Sequence, residues 1–243
     1  GVDVTAVEML PKILGPMDEE LSTELQQAFE KRKVKFHLST KVTAVRDGKV
    51  IAEHEGEQLE IPFDKLLVSV GRRAVTDGLG LETVGVELQR GAIVVDEHLE
   101  TSVPGIYAVG DVNGVSMLAH TAAREGQVAV HHITDYPDAM SYRAIPGIVY
   151  TDPEIASVGQ TEQELRTAGV DYQVHRVPMS LSGRFVIENE QGNGFCKLLT
   201  DSEGVILGAH MLGNGSSEIL VPAIMAVEQR MTLAELSRIG FPH

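Results

Sequence analysis

An aspartate lies between a short apolar run and a helix-like segment in the stretch YAVGDVNGVSMLAH, residues 107–120. The pattern predicts that Asp111 ends a buried strand and that a helix begins a few residues later. A buried carboxylate is costly unless it accepts hydrogen bonds, which the hydroxyls of a sugar or polyol could donate. The N–H groups at the start of the helix would face a polar group nearby. An Asx turn that closes the loop explains the pattern equally well, so both interpretations stay open.

Two further positions have the chemistry of a nucleotide site. The alternating run VDVTAVE predicts a strand ending at Glu8, and an acidic residue at such a strand end can hydrogen-bond ribose hydroxyls. An ordinary surface glutamate would have the same sequence context. The apolar run KLLVSVG predicts a second strand, which ends at Gly71. A glycine there either lets a ligand approach the backbone closely or simply turns the chain.

The histidines and the single cysteine give weaker evidence of a catalytic or binding role. His243 is the last residue, and an imidazole there could act as an acid or base near neutral pH. The histidines show no metal-ligand spacing, so no metal site is predicted. Cys196 lies in a predicted strand and is expected to be an inert thiol. As the sole cysteine it cannot form a disulfide within the chain, which favours a reducing compartment such as the cytoplasm.

Composition narrows the class of partner. The chain has 243 residues, 43% of them hydrophobic and 23% charged, which is typical of one or two globular domains. Its 35 acidic and 20 basic residues give a formal charge of −15, which argues against nucleic acid and anionic membranes as partners. No apolar run approaches the roughly 18 residues of a membrane span. The chain opens inside an apparent α/β unit and stops at IGFPH, so we expect a piece of a longer protein.

The first part of the chain predicts an α/β unit. Residues 18–33 have acidic residues in the first turn and basic residues in the last, as a helix prefers. Short strands follow, joined by turns at Asp47-Gly48 and Glu55-Gly56. Strand, helix and strand at this spacing favour a parallel, doubly wound sheet.

The rest of the chain changes character. Residues 71–111 are rich in turns, residues 118–134 predict a helix of small residues, and Pro137 and Pro146 bracket a linker. Strands are predicted at GIVYTD, YQVHRVPM, GFCKLLTD and GVILGAHMLG, and helices at 161–168 and 216–231. This pattern favours an antiparallel sheet with helices, an α+β domain.

Several stretches together resemble the FAD-dependent pyridine nucleotide-disulfide oxidoreductases, and within them the dihydrolipoamide dehydrogenase branch. In order they are GVDVTAVE, LLVSVGRR, LGLETVGVEL, TSVPGIYAVGDV, MLAHTAAREG, GIVYTDPEIASVGQTE, GAHMLG and FPH. The resemblance implies an α/β plus α+β fold in three parts. Residues 1–73 would be part of a Rossmann-like NAD-binding domain, 74–144 a remnant of the FAD-binding or central domain, and 145–243 an α+β dimerisation domain.

The resemblance also implies roles for individual residues. Glu8 would bind the adenosine ribose of NAD, with Val42 and Gly71 lining the same site. Asp111 would hydrogen-bond the ribityl chain of FAD, and His243 would be the catalytic base in an active site shared with a partner subunit. The flavin site would be lined by Met117, Leu118, Ala119 and His120. The implied partners are a second copy in a homodimer and a substrate, dihydrolipoamide or a lipoyl-bearing protein.

The resemblance implies oxidation of dihydrolipoamide, with electrons passing through an enzyme disulfide and FAD to NAD⁺. The glycine-rich FAD-binding half and the Cys-x-x-x-x-Cys pair of the family are not in this sequence. We therefore expect this piece alone to be inactive and to bind FAD weakly or not at all. Two alternatives stay open: another reductase of the superfamily, of the glutathione, mercuric or transhydrogenase type, and a non-catalytic dimerisation fragment. Glu8 favours NAD over NADP, because a carboxylate repels a 2′-phosphate.

Overall fold

The computed structural model describes residues 1–190 and 192–241. Within them the strands are β1 (Thr5–Val7), β2 (Lys35–His37), β3 (Thr40–Arg46), β4 (Lys49–His54), β5 (Glu57–Pro62), β6 (Leu88–Gln89), β7 (Ala92–Ile93), β8 (Gly147–Val149), β9 (Ile155–Gly159), β10 (Gln173–Pro178), β11 (Phe195–Thr200) and β12 (Ile206–Leu212). The helices are α1 (Glu19–Lys31), α2 (Leu81–Val84), α3 (Ala119–Ile133), α4 (Glu162–Ala168), α5 (Gly183–Glu188), α6 (Ser216–Ile219), α7 (Val221–Glu228) and α8 (Leu233–Leu236). Short 3-10 helices lie at Gly110–Asn113 and Met179–Leu181.

The chain forms two compact units. Unit 1 consists of Gly1–Leu66 and Arg143–His243, and unit 2 of Leu67–Tyr142. The three-part division at residues 73 and 144 that the sequence suggested stays a prediction.

The first segment of unit 1 has the predicted strands and turns. β1 and β2 pair in parallel, and β3, β4 and β5 form an antiparallel meander. The two meander turns have positive φ at both central residues, 52° and 70° at Asp47 and Gly48 and 51° and 84° at Glu55 and Gly56. Two-residue hairpin loops favour this conformation because its twist matches that of the strands, so both predicted turns are confirmed.

Helix α1 begins and ends where the charge pattern indicated. The Asp18 side chain caps it by accepting a hydrogen bond from the Glu20 N–H at 3.1 Å, and Lys31 lies in its last turn. Its buried residues Leu21 and Leu25 pack against the second segment of unit 1. The contacts are with Ile155, Phe195 and Leu212.

The second segment of unit 1 is built on one antiparallel sheet of strand order β10-β11-β12-β9-β8. One face packs on α1, through the contacts just named. Alternate residues of β9 and β12 point to the other face, where α7 covers them. That core contains Ala156, Val158, Ala209, Met211, Ala223, Ala226 and Val227. The antiparallel α+β domain predicted from the sequence is confirmed.

Two predicted strands are wrong. Within the described residues, 65–71 form no strand, and their apolar side chains are exposed, 89% for Leu67 and 93% for Val70. The apolar run before Asp111 forms only an isolated bridge between Glu100 and Tyr107. Apolar, β-branched composition favours a strand, but a strand exists only where a neighbour accepts and donates its backbone hydrogen bonds. Gly71 therefore does not end a strand here.

Candidate functional site

Asp111 lies in the 3-10 helix Gly110–Asn113, where its side chain is exposed. Asp111 is therefore not the buried carboxylate expected from the sequence, and its charge carries no desolvation cost. Its backbone oxygen accepts a hydrogen bond from the Gly114 N–H at 3.2 Å, which closes the turn. Among the described residues, no side-chain or backbone group donates a hydrogen bond to its carboxylate, so both oxygens are available to a ligand.

The buried carboxylate of this region is that of Glu125, in the middle of α3, and it is completely buried. One of its oxygens accepts hydrogen bonds from the Gly110 N–H at 2.5 Å and the Asn113 amide at 3.0 Å. The other accepts the hydroxyl of Tyr142 at 2.7 Å. Glu125 thus ties both ends of the 3-10 turn to the helix and leaves Asp111 at its outer side.

Two glycines allow this turn to lie close to its neighbours. Gly110 has φ 77°, and a Cβ there would lie 3.3 Å from the Cβ of Ala122 in α3. Gly114 has φ 70°, and a Cβ there would lie 2.7 Å from the Cβ of Ala92. A side chain at Gly114 would be strained by the left-handed conformation and would also clash. The glycines of GDVNG therefore set the position of the turn.

Helix α3 begins beside this turn without a side-chain cap. Leu118 occupies the N-cap position in an extended conformation and makes no capping hydrogen bond. An uncapped helix start presents N–H groups and a partial positive charge to a polar or anionic group. The residues suggested for the flavin site lie here, Met117 half-buried and Leu118, Ala119 and His120 exposed. Unit 2 thus places an exposed carboxylate on a turn that packs against the first turns of an uncapped helix.

A salt-bridged clasp fixes the other part of α3. Arg124 donates two hydrogen bonds to the carboxylate of Asp138, at 2.6 and 2.7 Å, and His131 Nδ1 lies 2.7 Å from the same carboxylate. The hydrogen bonds from Arg124, and then that from His131, hold the pKa of Asp138 well below its usual range. Two-pronged pairing of this kind fixes orientation as well as charge.

Glu8 and Val42 lie in the first segment of unit 1. The Glu8 N–H donates to the His37 carbonyl and its carbonyl accepts from Thr40 N–H, both at 2.9 Å, so the backbone of Glu8 is held between β2 and β3. Its Oε1 accepts the Leu10 N–H at 2.8 Å, which leaves acceptor capacity on the second oxygen. Val42 lies two residues beyond Thr40 on β3, 46% exposed.

Two predicted site residues remain, Gly71 and His243. Gly71 is exposed, with φ 109° and open space where a Cβ would be, and it belongs to unit 2. His243 lies outside the described residues.

Unit 1 contains a second cluster of buried charge, which the sequence analysis did not predict. The Lys197 ammonium is completely buried in β11, at 2.5 Å from Asp18, 3.0 Å from Glu20 and 2.7 Å from Glu162. Burial alone would lower the pKa of Lys197, but its hydrogen bonds to the three carboxylates raise it above its usual value. The three carboxylates lie close enough together to bind a cation, and the ammonium already occupies that position.

Glu125 and Lys197 were not among the residues predicted from the sequence, but the sequence pattern indicates that both are buried. Glu125 is four residues beyond Thr121 and three before Val128, so it shares the buried face of α3 with them. Lys197 alternates with Phe195 and Leu199 in β11, so it points to the same buried face. A charged residue at a position whose period predicts burial marks a group that the fold must pair or hydrogen-bond.

The comparisons with known proteins agree with this architecture. Residues 1–126 match the pyridine nucleotide-disulphide oxidoreductase family, and residues 145–243 match the dimerisation domain of the same family. The chain therefore belongs to the pyridine nucleotide-disulphide oxidoreductase family. The family resemblance and the mixed fold class expected from the sequence are confirmed. No helix in the described part of the chain has the length and apolar character that a membrane crossing requires.

Several curated relatives are similar to this chain in sequence. The chain is 37% identical to the dihydrolipoyl dehydrogenase of Cupriavidus necator and 39% identical to the mitochondrial dihydrolipoyl dehydrogenase 2 of Arabidopsis thaliana. Both alignments include the whole of this chain but only 52% and 49% of the relatives. The chain thus spans about half the length of the curated relatives it matches.

Solved structures show the same fold. LpdA from Mycobacterium tuberculosis superposes on the whole chain with a TM-score of 0.87 at 29% identity, over 54% of its own length. The HOCl-induced flavoprotein disulfide reductase RclA from Escherichia coli superposes with a TM-score of 0.85 at 26% identity, over 57% of its length. Both neighbours are again longer than the chain that matches them.

Proposed function

We propose that the protein to which this chain belongs is a dihydrolipoyl dehydrogenase that uses FAD and NAD⁺. The observation that carries the proposal is the exposed Asp111 carboxylate on a turn anchored beside the uncapped start of α3. It is supported by relatives of that name, which align along the whole chain. In the reaction the two thiols of dihydrolipoamide become a disulfide and lose two electrons and two protons. A hydride goes to NAD⁺ and one proton to solvent.

The residues of unit 2 fit a flavin dinucleotide. FAD, when bound, supplies a two-electron carrier between the enzyme disulfide and the nicotinamide. Asp111 would accept hydrogen bonds from the ribityl hydroxyls, since the described chain offers its carboxylate no other donor. The start of α3, at Met117 to His120, would direct N–H groups at polar atoms of the same ligand.

Glu8 and Val42 would bind the nicotinamide dinucleotide, and the same role for Gly71 rests on the resemblance alone. The free oxygen of Glu8 would accept the ribose hydroxyls and repel the phosphate of NADP. His243 would take a proton from the dithiol substrate, and residues 145–243 would form a homodimer through the dimerisation domain. The role of His243 rests on the resemblance alone, because that residue lies outside the described ones.

The test is an assay of the full chain, with the sequence that flanks residues 1–243 in its reading frame. We expect dihydrolipoamide to drive formation of NADH from NAD⁺, with little NADPH formed from NADP⁺. We also expect the purified protein to carry FAD. A protein that carries no flavin, or that gives no NADH with dihydrolipoamide, would contradict the proposal.

A second candidate is a flavoprotein reductase for another disulfide. The likeness to RclA favours it, since that neighbour is a disulfide reductase with the same fold. This candidate predicts a protein that carries FAD but leaves dihydrolipoamide unoxidised, and that instead consumes NADPH or NADH with glutathione disulfide or another oxidant. The two candidates are thus separated by substrate and by direction of electron flow.

A further inference from the structure

Glu125 makes the connection on which the candidate flavin site depends. Its carboxylate is completely buried, and each of its three hydrogen-bond partners donates to it. Two of those donors, the Gly110 N–H and the Asn113 amide, belong to the turn that contains Asp111. The third, the Tyr142 hydroxyl, lies outside the turn.

The turn is also held by packing of Val112 on the cluster of Val86, Ile93 and Ala108, and by hydrogen bonds within the turn. The Asn113 side chain also accepts the Val115 N–H at 3.0 Å, and the Gly114 N–H closes the turn on the Asp111 carbonyl. These bonds shape the turn internally but do not fix it to the helix. The bonds to Glu125 do, because Glu125 lies on the buried face of α3 beside Thr121 and Val128.

We propose that Glu125 is a positioning residue for flavin binding, which holds the turn Gly110–Asn113 against α3 so that Asp111 faces the ligand. The inference rests on the proposed function, since it concerns the same FAD site. Glu125 itself touches no ligand in this arrangement and acts through the backbone of Gly110 and the side chain of Asn113. Fixing a binding group in its bound position raises affinity by reducing the ordering that binding requires.

Glutamine is the conservative replacement that separates geometry from charge. In Glu125→Gln the amide oxygen can accept the Gly110 N–H and the Asn113 amide, while the amide nitrogen donates to the Tyr142 oxygen, since a hydroxyl both donates and accepts. Glu125→Ala removes all three bonds. The proposal therefore predicts that glutamine restores FAD binding and alanine does not.

Two matched variants test whether Glu125 acts on FAD binding through the turn. Asn113→Ala and Tyr142→Phe each remove one hydrogen-bond donor to Glu125, but only Asn113 lies on the turn. Gln127→Ala, on the exposed side of α3, is a control for substitution in the same helix. All variants are made in the full chain with its flanking sequence, stripped of flavin and titrated with FAD while flavin fluorescence and visible circular dichroism are followed.

We expect the FAD dissociation constant to rise about tenfold or more in Glu125→Ala, and by less in Asn113→Ala. In Glu125→Gln, Tyr142→Phe and Gln127→Ala it should stay within about threefold of wild type, with an unchanged flavin dichroism spectrum. If Glu125→Ala does not fold, a larger loss of affinity in Asn113→Ala than in Tyr142→Phe still supports the proposal.

Equal FAD affinity in Glu125→Ala and wild type would overturn the inference while leaving the proposed function standing. Equal losses in Asn113→Ala and Tyr142→Phe, or a loss in Glu125→Gln as large as in Glu125→Ala, would also overturn it. A wild-type protein that fails to bind FAD would overturn the proposed function itself, and the inference with it.

Discussion

The two units each bury a charged side chain completely, and they satisfy it in opposite ways. In unit 1, Lys197 lies among the carboxylates of Asp18, Glu20 and Glu162, so its charge is paired with opposite charge. In unit 2, Glu125 accepts hydrogen bonds from neutral groups. The first arrangement joins two segments distant in sequence, and the second fixes one turn to one helix.

The two buried charges therefore have different consequences when they are removed. Removal of the Lys197 ammonium leaves the buried Asp18 carboxylate without a cation, while Glu20 and Glu162 keep their pairs with Arg176 and Arg166. An unpaired buried charge is costly, so the loss of Lys197 weakens the packing of α1 on the sheet. A carboxylate held by neutral donors can be replaced by an amide of the same shape with a smaller penalty. Stability should therefore respond to the Lys197 cluster, and ligand binding to the region around Glu125.

The substitution Lys197→Met should reduce stability more than any other variant considered below. Removing the ammonium leaves the buried carboxylate of Asp18 without its cation, and breaking a buried pair in this way costs about 3–5 kcal/mol. The free energy of unfolding, measured by denaturant titration, should fall by about that amount.

The control for that prediction is Lys49→Met, which breaks the exposed pair with Glu60 on the β4–β5 hairpin. Exposed pairs contribute about 0–1 kcal/mol, so the control should be nearly neutral. Similar losses of unfolding free energy in the two variants would show that the buried Lys197 cluster contributes no more to stability than an exposed ion pair.

The second effect concerns binding rather than stability, and the variant is Asp111→Asn. Asp111 is exposed and its carboxylate has no hydrogen-bond donor among the described residues, so the free energy of unfolding should change by less than about 0.5 kcal/mol. Affinity for FAD in the full chain should fall about tenfold or more, because a charge-assisted hydrogen bond is lost.

Asp77→Asn, another exposed aspartate of unit 2, serves as the matched control and should change neither quantity. A stability loss in Asp111→Asn comparable to that of Lys197→Met would break the contrast between the two units. Unchanged FAD affinity would remove Asp111 from the site.

A smaller effect is the response of unit 1 to pH through His210. This histidine is completely buried, its Nε2–H donates to the Gln160 carbonyl at 3.0 Å, and Ser157 lies 2.6 Å from Nδ1. Burial lowers the pKa of His210 below its usual value. The unfolded chain takes up a proton there near pH 6.5, and the folded chain takes one up less readily. Stability should therefore decline as pH falls from about 7 to 5.

The measurement is the free energy of unfolding across that pH range in wild type and in His210→Gln. The variant should show a shallower decline, since one group that takes up a proton on unfolding is gone. Parallel pH profiles would mean that His210 is protonated in the folded protein as readily as in the unfolded one.

Much of the fold could be predicted where local patterns decide the structure. The turns at Asp47-Gly48 and Glu55-Gly56, and the limits of α1, follow from backbone preference and capping, which are properties of neighbouring residues. The prediction of a strand at 65–71 was wrong, and β9 was not predicted. Both errors arise because a strand forms only where another strand lies beside it in the folded protein. Local composition does not contain that information.

The site was predicted less completely than the fold. Asp111 was expected to be a buried carboxylate, whereas the buried one is Glu125 and Asp111 is exposed. The motif drew attention to Asp111 within the turn, but the group that fixes the turn lies fifteen positions beyond Gly110, on the buried face of a helix. The helical period of the buried residues in α3 could have identified it.

The last prediction concerns Cys196, which lies in the same strand as the buried Lys197. Cys196 and Lys197 are neighbours in β11, so their side chains point to opposite faces of the sheet. Cys196 packs against the apolar core under α7, and burial there raises its pKa to about 11. A rise of about two pH units makes the thiolate at neutral pH roughly 100-fold scarcer than in a free cysteine, so alkylation should be slower by about that factor.

The measurement is the rate of alkylation of Cys196 in the folded protein. The rate for the same thiol in denaturant is the control. Cys196→Ala should cost no more than about 1–2 kcal/mol of unfolding free energy, since only a small, partly buried side chain is shortened. Rapid alkylation of the folded chain would mean that the buried ammonium of Lys197 acts across the strand on the thiol. Slow alkylation would show that the two faces of β11 are electrostatically separate, with the charges confined to the α1 side.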